Sequence, residues 1–435
     1  MAVPLSPLEL LERTWRGEHV DVDSVRRFVR SWLSDGAPDA QMAAWCAIAQ
    51  ARGLDRESTQ GLMAALIASG ERLDLASLGA TGDLHSTGGV GDNVSLVAVP
   101  LAATLGVRVA KMSRRGLGHW GGTIDKLEAI PGYRTTVDLG EFIGQVQRVG
   151  CAVIAQNPRL VPGDGRLTTL REATGTVANP DLIAASVMSK ALAGGAQALA
   201  LEVTWGEGAA CSSLEEAHQT GDLMRWLAAG WGREVRTIVT AIREPLGRMI
   251  GNALEVREAS DVLRGGGPGD LRRIATRIAG ELAEAAGVVA VGDGTARADA
   301  ALADGSALVM AERWVEAQGG NPAVWSTPAL LATAPVGVPV LADRDGVVEA
   351  IDARAIGESV RRLGAGRLHP SQQVDHAVGI EMMAKVGEPV VSGAPIAMVH
   401  ARDAWLGENC ATEIRAAVRL GARARAGDSG AMMRG

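Results

Sequence analysis

Two short loops carry the residues of this sequence best suited to holding an anion. Residues 83–93 read DLHSTGGVGDN and residues 113–123 read SRRGLGHWGGT, both rich in glycine and hydroxyl side chains. The first loop, with Gly88, Gly89 and Gly91, runs straight into the apolar stretch VSLVAVPLAATLG, so free backbone N–H groups and the Ser95 hydroxyl should gather at a helix N-terminus. That is anion-binding chemistry, because the first N–H groups of a helix have no partner within it. The second loop follows the short run Val107 to Met112 and carries Ser113, Gly116, Gly118, Gly121, Gly122 and Thr123 ahead of another helix. Both loops can face one phosphate. Neither has the spacing of a dinucleotide fingerprint or of a GxxxxGK[ST] loop.

A second candidate wall lies further on. In DLIAASVMSKALAGG, with Asp181 as the expected cap, Ile183, Ser186, Val187 and Lys190 are three or four residues apart and share one helix face. An apolar face interrupted by a hydroxyl and an ammonium suits the wall of a pocket. Lysine is scarce in this chain: of 43 basic residues only Lys111, Lys126, Lys190 and Lys385 are lysine. A compact ammonium with a tunable pKa does work that a wide guanidinium fork cannot. Three of these lysines fall in or near the segments just described, whereas Lys385, in the hairpin-like stretch VGIEMMAKVGEPV, reads as structural.

Several elements must position these groups. Ser6-Pro7-Leu8-Glu9 reads as a capping box with proline at the first helical position, and Gly17 should end that helix. Val25, Phe28, Val29, Trp32 and Leu33 give a helical stripe closed by Gly36, and two more helices over about 40–51 and 57–69 make residues 1–70 an all-α unit. Strands and helices then alternate, as α/β with a mostly parallel sheet requires. The stretch RLVPGDGRLTTLREATGTVANP breaks this alternation with little clear periodicity. Residues 160–193 are therefore expected to join 1–70 in a helical lobe, with 75–159 and 194–330 forming a larger α/β lobe and two long helices ending near Gly319. From Val336 short β runs separated by Gly, Pro and Asp predict a small C-terminal β-rich lobe over 335–420, and residues 421–435 read as a flexible tail. A cleft between the two larger lobes is the natural place for a ligand.

Composition narrows the function. Hydrophobic residues make up 47% and charged residues 21% of 435, and the net charge of −7 argues against a nucleic-acid surface. The N-terminus lacks a basic segment followed by an apolar one, and no run of about 18 apolar residues is present. A cytoplasmic protein without a membrane partner is expected. Cys46, Cys151, Cys211 and Cys410 lie far apart without metal-ligand spacing, so they read as reduced and structural, and no metal is expected.

With these motifs in view, the chain resembles the thymidine and pyrimidine-nucleoside phosphorylase family over nearly its whole length. The likeness rests on HSTGGVGDNVSL, GLGHWGGTIDKLEAIPG, LIAASVMSKALA, PLGRMIGNALEVREA and VGIEMMAKVGEPV, in family order. It implies a homodimer formed through the helical lobe and reversible phosphorolysis of a pyrimidine nucleoside, with inorganic phosphate as co-substrate and no other cofactor. It also implies that Ser86, Ser95, Ser113 and Thr123 hold phosphate, that Arg171, Ser186 and Lys190 grip the pyrimidine, and that Leu117 and Ile183 wall it. His85 would lie beside the glycosidic bond as an assisting acid.

The chain departs from the family pattern at several of these places. Leu84 stands where the family has a phosphate-binding lysine, Arg114 and Trp120 where it has small residues, and Thr168, in the substrate-binding set, where it has tyrosine. Glu172 replaces aspartate, Thr204 replaces lysine and Ala210 replaces phenylalanine. Concentrated in the expected cleft, these changes point to altered substrate specificity. Arg114 either restores the charge lost at Leu84 by reaching into the anion pocket, or it faces solvent and phosphate is not the acceptor. Two further readings stay open: a phosphoribosyl or nucleoside transferase of the same fold, and a non-catalytic nucleoside-binding homologue.

Overall fold

Ser6 opens the chain with the reciprocal cap its sequence predicts. Its hydroxyl accepts from the Glu9 N–H at 3.3 Å, and the Glu9 carboxylate accepts from the Ser6 N–H at 2.8 Å. The computed structural model describes residues 5–421 apart from Leu117, Trp120, Pro370 and Ser371, so the tail expected after 421 lies outside the described residues. Four helices come first: α1 (Pro7–Arg16), α2 (Val22–Leu33), α3 (Asp39–Arg52) and α4 (Arg56–Ala68). Gly17 ends α1 at φ 71°, where a side chain would be strained. The stop expected at Gly36 comes at Leu33 instead, with Asp35 taking the left-handed turn at φ 59°, a conformation that Asp tolerates better than most residues. The α2 stripe is buried at Val25, Phe28, Val29 and Trp32 and partly covered at Leu33. Phe28 meets Trp45 edge to face at 6.1 Å, and the Trp32 indole N–H donates to Asp39 at 2.7 Å.

An α/β unit follows: β1 (Thr81–Ser86), α5 (Val94–Thr104), β2 (Arg108–Ser113), α6 (Thr123–Glu128), α7 (Leu139–Val149) and β3 (Cys151–Ala155). Then come α8 (Pro162–Thr174) and α9 (Pro180–Ala193), which pack against α3 and α4. That α8 is a helix was not apparent from its sequence. Its buried positions are Gly163, Asp164, Leu167 and Arg171, so the inward stripe is half polar and leaves no apolar period to read. Asp181 does not cap α9. Pro180, which lacks an N–H, takes the first helical position, and the preceding Asn179 caps by accepting from the Leu182 N–H at 2.8 Å. The Asp181 carboxylate instead accepts from the Leu54 N–H at 2.7 Å, fastening α9 to the loop between α3 and α4.

The sheet continues through β4 (Ala198–Trp205), α10 (Leu214–Ala229) and β5 (Glu234–Ala241). All five strands are parallel, in the order β3-β2-β1-β4-β5. The chain therefore builds outward from β1 in one direction and then returns to build in the other. Ligands of open parallel sheets bind at the carboxyl ends of the strands where this reversal occurs. Here that place lies between β1 and β4.

Next are β6 (Met249–Ile250), α11 (Asn252–Leu263), α12 (Gly269–Ala285), α13 (Gly294–Ala303) and α14 (Ser306–Ala317). Three helices replace the two expected before Gly319, because Gly287 and Gly292 separate α12 from α13 and Gly305 separates α13 from α14, all three at positive φ. The C-terminal part holds β7 (Val336–Leu341), β8 (Gly346–Ile351), α15 (Ala353–Val360), β9 (Gly379–Met382), β10 (Pro389–Val390), β11 (Pro395–Ala401), α16 (Ala404–Ala417) and β12 (Val418–Gly421). Its strands form two antiparallel sheets, β10-β8-β12 and β6-β9-β11-β7. The hairpin expected around Lys385 does not form, since β9 and β10 belong to different sheets. Lys385 clamps this lobe to the rest of the chain by donating to the Pro245 and Gly247 carbonyls.

Candidate active site

The loop after β1 is shaped by glycines that no other residue could replace without movement. Gly91 lies at φ 76°, and a Cβ there would come within 2.3 Å of the Leu246 carbonyl oxygen. Thr204 on β4 ties this loop down: its hydroxyl meets the Thr87 hydroxyl at 2.9 Å, and its N–H donates to the same Thr87 oxygen at 2.9 Å. Thr87 and Thr204 thus form a hydroxyl knot between β4 and the loop. Asn93 precedes α5 without capping it, because its amide is turned to Glu258 at 3.1 Å. The first N–H groups of α5 thus receive no side-chain cap, beside Ser95.

The β2 loop faces this one. Ser113 ends β2, Thr123 begins α6, and both line the same cavity as Ser86 and Ser95. Lys126 stitches the loops together, pairing with Glu255 at 2.5 Å and donating to the Asp92 carbonyl. Lys111 sits deeper on β2, buried, with its ammonium donating to the Leu84 carbonyl of the neighbouring strand. Burial lowers its pKa, while Asp83 and Asp92 oppose that shift. Lys111 supplies a charge to the cavity from β2. The sequence signal for Lys111 was its rarity as a lysine. Under the glycine loop, Glu202 is pushed up to about 8 by burial and then by Asp92, with the Thr240 and Ser86 hydroxyls opposing that shift.

The opposite wall comes from α8 and α9. The Arg171 guanidinium donates to the Thr176 and Val177 carbonyls, each at 2.9 Å, and to Leu182 at 3.4 Å. A guanidinium has five N–H groups, so two remain for a ligand. Burial and then Arg114 bring its pKa down to about 10. The Lys190 ammonium donates to Asp164 at 2.7 Å, to the Ser186 carbonyl at 2.6 Å and to the Ser186 hydroxyl at 2.7 Å. All three of its protons are engaged, so a ligand must displace one of these contacts. Burial takes Lys190 down to about 8 although Asp164 pulls the other way. Asp164, missed in the sequence because α8 shows no period, is the counter-charge of this wall.

His85 lies between the walls, with Nε2 2.8 Å from the Asp83 carboxylate. A carboxylate only accepts, so Nε2 carries the proton and Nδ1 is an acceptor in the neutral ring. Burial lowers the His85 pKa, and Asp83 partly counters it. Burial outweighs Asp83, so the ring favours its neutral form, and acid assistance from it first requires a proton at Nδ1.

One cavity, of about 90 Å³, is lined by His85, Ser86, Ser95, Ser113, Arg114, Thr123, Arg171, Ile183, Ser186 and Lys190. Thr168 does not reach it and lines an adjoining cavity instead, because its position on α8 faces that side. Leu117 lies outside the described residues. Arg114 borders both cavities, which places it neither in solvent nor wholly within the anion loops.

Comparison with known proteins agrees with this architecture. Residues 8–70 match the helical bundle domain and residues 78–308 the a/b domain of a glycosyl transferase family, and residues 347–421 match the pyrimidine nucleoside phosphorylase C-terminal domain. The pyrimidine-nucleoside phosphorylase of Geobacillus stearothermophilus is 38% identical over 90% of this chain and 91% of its own. That of Bacillus subtilis is 37% identical over 96% and 97%. The thymidine phosphorylase of Mesorhizobium japonicum is 37% identical over 98% of both chains. Anthranilate phosphoribosyltransferase from Thermus thermophilus shares the fold, with a TM-score of 0.55 and 19% identity over 71% of this chain and 98% of that one.

Proposed function

The chain belongs to the pyrimidine-nucleoside phosphorylase family, and from that premise we propose that it is a pentosyltransferase cleaving a pyrimidine nucleoside with inorganic phosphate, giving free base and pentose 1-phosphate. The observation that carries this reading is the pairing of two unlike walls around one cavity at the sheet's switch point. Hydroxyls, the α5 N-terminus and Lys111 stand on one side, and Arg171, Ser186 and Lys190 on the other.

The chemistry follows from that arrangement. Ser86, Ser95, Ser113, Thr123 and Lys111 hold phosphate, with Arg114 at the edge of their cavity. A phosphate oxygen attacks C1′ while the bond from C1′ to the pyrimidine nitrogen breaks, and negative charge grows on the departing base. Lys190 and the free edge of Arg171 stabilise that charge in a buried setting, where electrostatic interactions are strong. Ile183 and Val187 supply the apolar surface against which the ring lies. His85, as imidazolium, gives a proton to the base oxygen. Burial keeps water from competing with phosphate.

Assembly is part of the same proposal. The α2 stripe is mostly buried within the chain, but Leu8 and Trp15 on α1 remain 67% and 57% exposed. They stand one heptad apart on one face, which suits an isologous contact with a second copy. Light scattering should give twice 45.0 kDa, and Trp15→Glu should shift that value toward the monomer. For the reaction, uracil release from uridine should rise from background with added phosphate and saturate. Release at the same rate without phosphate would overturn the reading.

A further inference from the structure

A second cavity of about 470 Å³ adjoins the first and shares Arg114, Arg115 and Gly116 with it. That volume lies within the roughly 300–1,000 Å³ of small-ligand sites. Four arginines line it, Arg114, Arg115, Arg166 and Arg367, against a single carboxylate, Glu172. We propose that this cavity is an anion subsite for the far end of the sugar, so that the preferred substrate is a pyrimidine nucleoside carrying a negative group on its 5′ carbon. The proposal rests on the phosphorylase reading and deepens it.

Three of the arginines are held from behind. Arg115 pairs with Glu128 at 2.5 Å, Arg367 with Asp125 at 2.7 Å, and Arg166 with Asp35 at 2.9 Å and Asp39 at 3.1 Å. None of those carboxylates lines the cavity. Each pair fixes a guanidinium in place, and the fork keeps further N–H groups free. Arg114 differs. It is half-buried, and its guanidinium makes no hydrogen bond or direct ion pair with any described residue, although Asp164 and Glu172 lie near enough to favour its charge. A partly desolvated cation without a direct partner is costly, and an anionic ligand would offset that cost.

Position decides which part of the substrate enters. The base wall consists of Arg171, Ile183, Ser186 and Lys190, and none of them lines the second cavity. The opening lies instead at residues 114–116, directly after Ser113 of the phosphate wall. With C1′ fixed between base and phosphate, the carbon that projects away from both is the primary carbon of the pentose. Thr168 on this wall is short, and the cavity stays open beside it. The reaction stays balanced: an oxygen of inorganic phosphate bonds to C1′, the base leaves with a proton, and a 5′-phosphate would be retained in a pentose 1,5-bisphosphate.

Calorimetry without inorganic phosphate tests the subsite, using uridine, uridine 5′-monophosphate and uridine 5′-carboxylate. An anionic ligand should bind at least 10-fold tighter than uridine, with the stronger of the two identifying the group. Arg114→Gly and Arg166→Gln should each reduce that ratio at least 10-fold, whereas Lys111→Met should leave the ratio standing. Equal affinity for neutral and anionic ligands would overturn the proposal. So would an advantage abolished by Lys111→Met, because the 5′ group would then be lodging in the first anion site. Phosphate-dependent base release, measured separately on the same ligands, reports on the phosphorylase reading alone.

Discussion

The two walls of the cavity solve the same problem, holding charge out of water, in opposite ways. The phosphate wall is built from backbone N–H groups, hydroxyls and a single lysine, with its glycine loop tied down by Thr204. The base wall is built from buried cations, Lys190 with its donors engaged by Asp164 and Ser186, and Arg171 with three of its five engaged by the Thr176, Val177 and Leu182 carbonyls. A wall of dipoles tolerates being empty, since its groups are individually weakly polar. A wall of full charges needs internal counter-charge before substrate arrives, because a lone buried ion is strongly destabilising. Perturbing the base wall should therefore cost stability as well as activity, and perturbing the phosphate wall mainly activity.

The largest expected effect tests that contrast. Lys190→Met leaves Asp164 buried without its partner and should destabilise the fold by about 3–5 kcal/mol while lowering kcat/KM for uridine at least ~100-fold. Adding Asp164→Leu should restore much of the stability, read by urea unfolding, and none of the activity. If the double variant were no more stable than the single one, the counter-charge account would be wrong.

Next in size is Lys111→Met on the other wall. Losing one charge-assisted contact, worth roughly 1.5–3 kcal/mol, should raise the phosphate KM by about 10- to 150-fold with little change in the uridine KM. Equal changes in both constants would mean that Lys111 does not serve the phosphate wall.

The walls should also differ in pH dependence. Lys190 is brought down to about 8, so its ammonium is present below that pH and is lost as pH rises through it. The kcat/KM for the nucleoside should fall above pH 8, and Ser186→Ala, which removes one ammonium contact, should move the break to lower pH. A profile flat from pH 7 to 9 would contradict the assignment. The smallest effect is expected from Thr204→Val, which removes one hydroxyl of the loop knot. A cost of about 1 kcal/mol should appear as a few-fold rise in phosphate KM with no change in the nucleoside constant.

The same contrast explains what was legible in the sequence. The phosphate wall is local: glycines, hydroxyls and the start of an apolar helix follow one another in the chain, and 83–93 and 113–123 could be read directly. The base wall was legible only in part. Ile183, Ser186 and Lys190 share a face of one helix, but Asp164 and Arg171 belong to a helix whose buried side is half polar, so no period marks them. The cap expected at Asp181 falls two residues earlier, at Asn179, because Pro180 takes the first helical position. The parallel sheet followed from alternation, but its order did not. Strand order depends on which faces meet in space, and the segment spacing carries no trace of that.

The central claim is that the two walls join phosphate, rather than water, to C1′. Uridine incubated with phosphate in water enriched in oxygen-18 separates the two directly by mass spectrometry of the sugar product. The account predicts pentose 1-phosphate in equimolar amount to uracil, with no heavy oxygen at C1′. Free pentose carrying the label, formed at a rate that ignores phosphate, would contradict it.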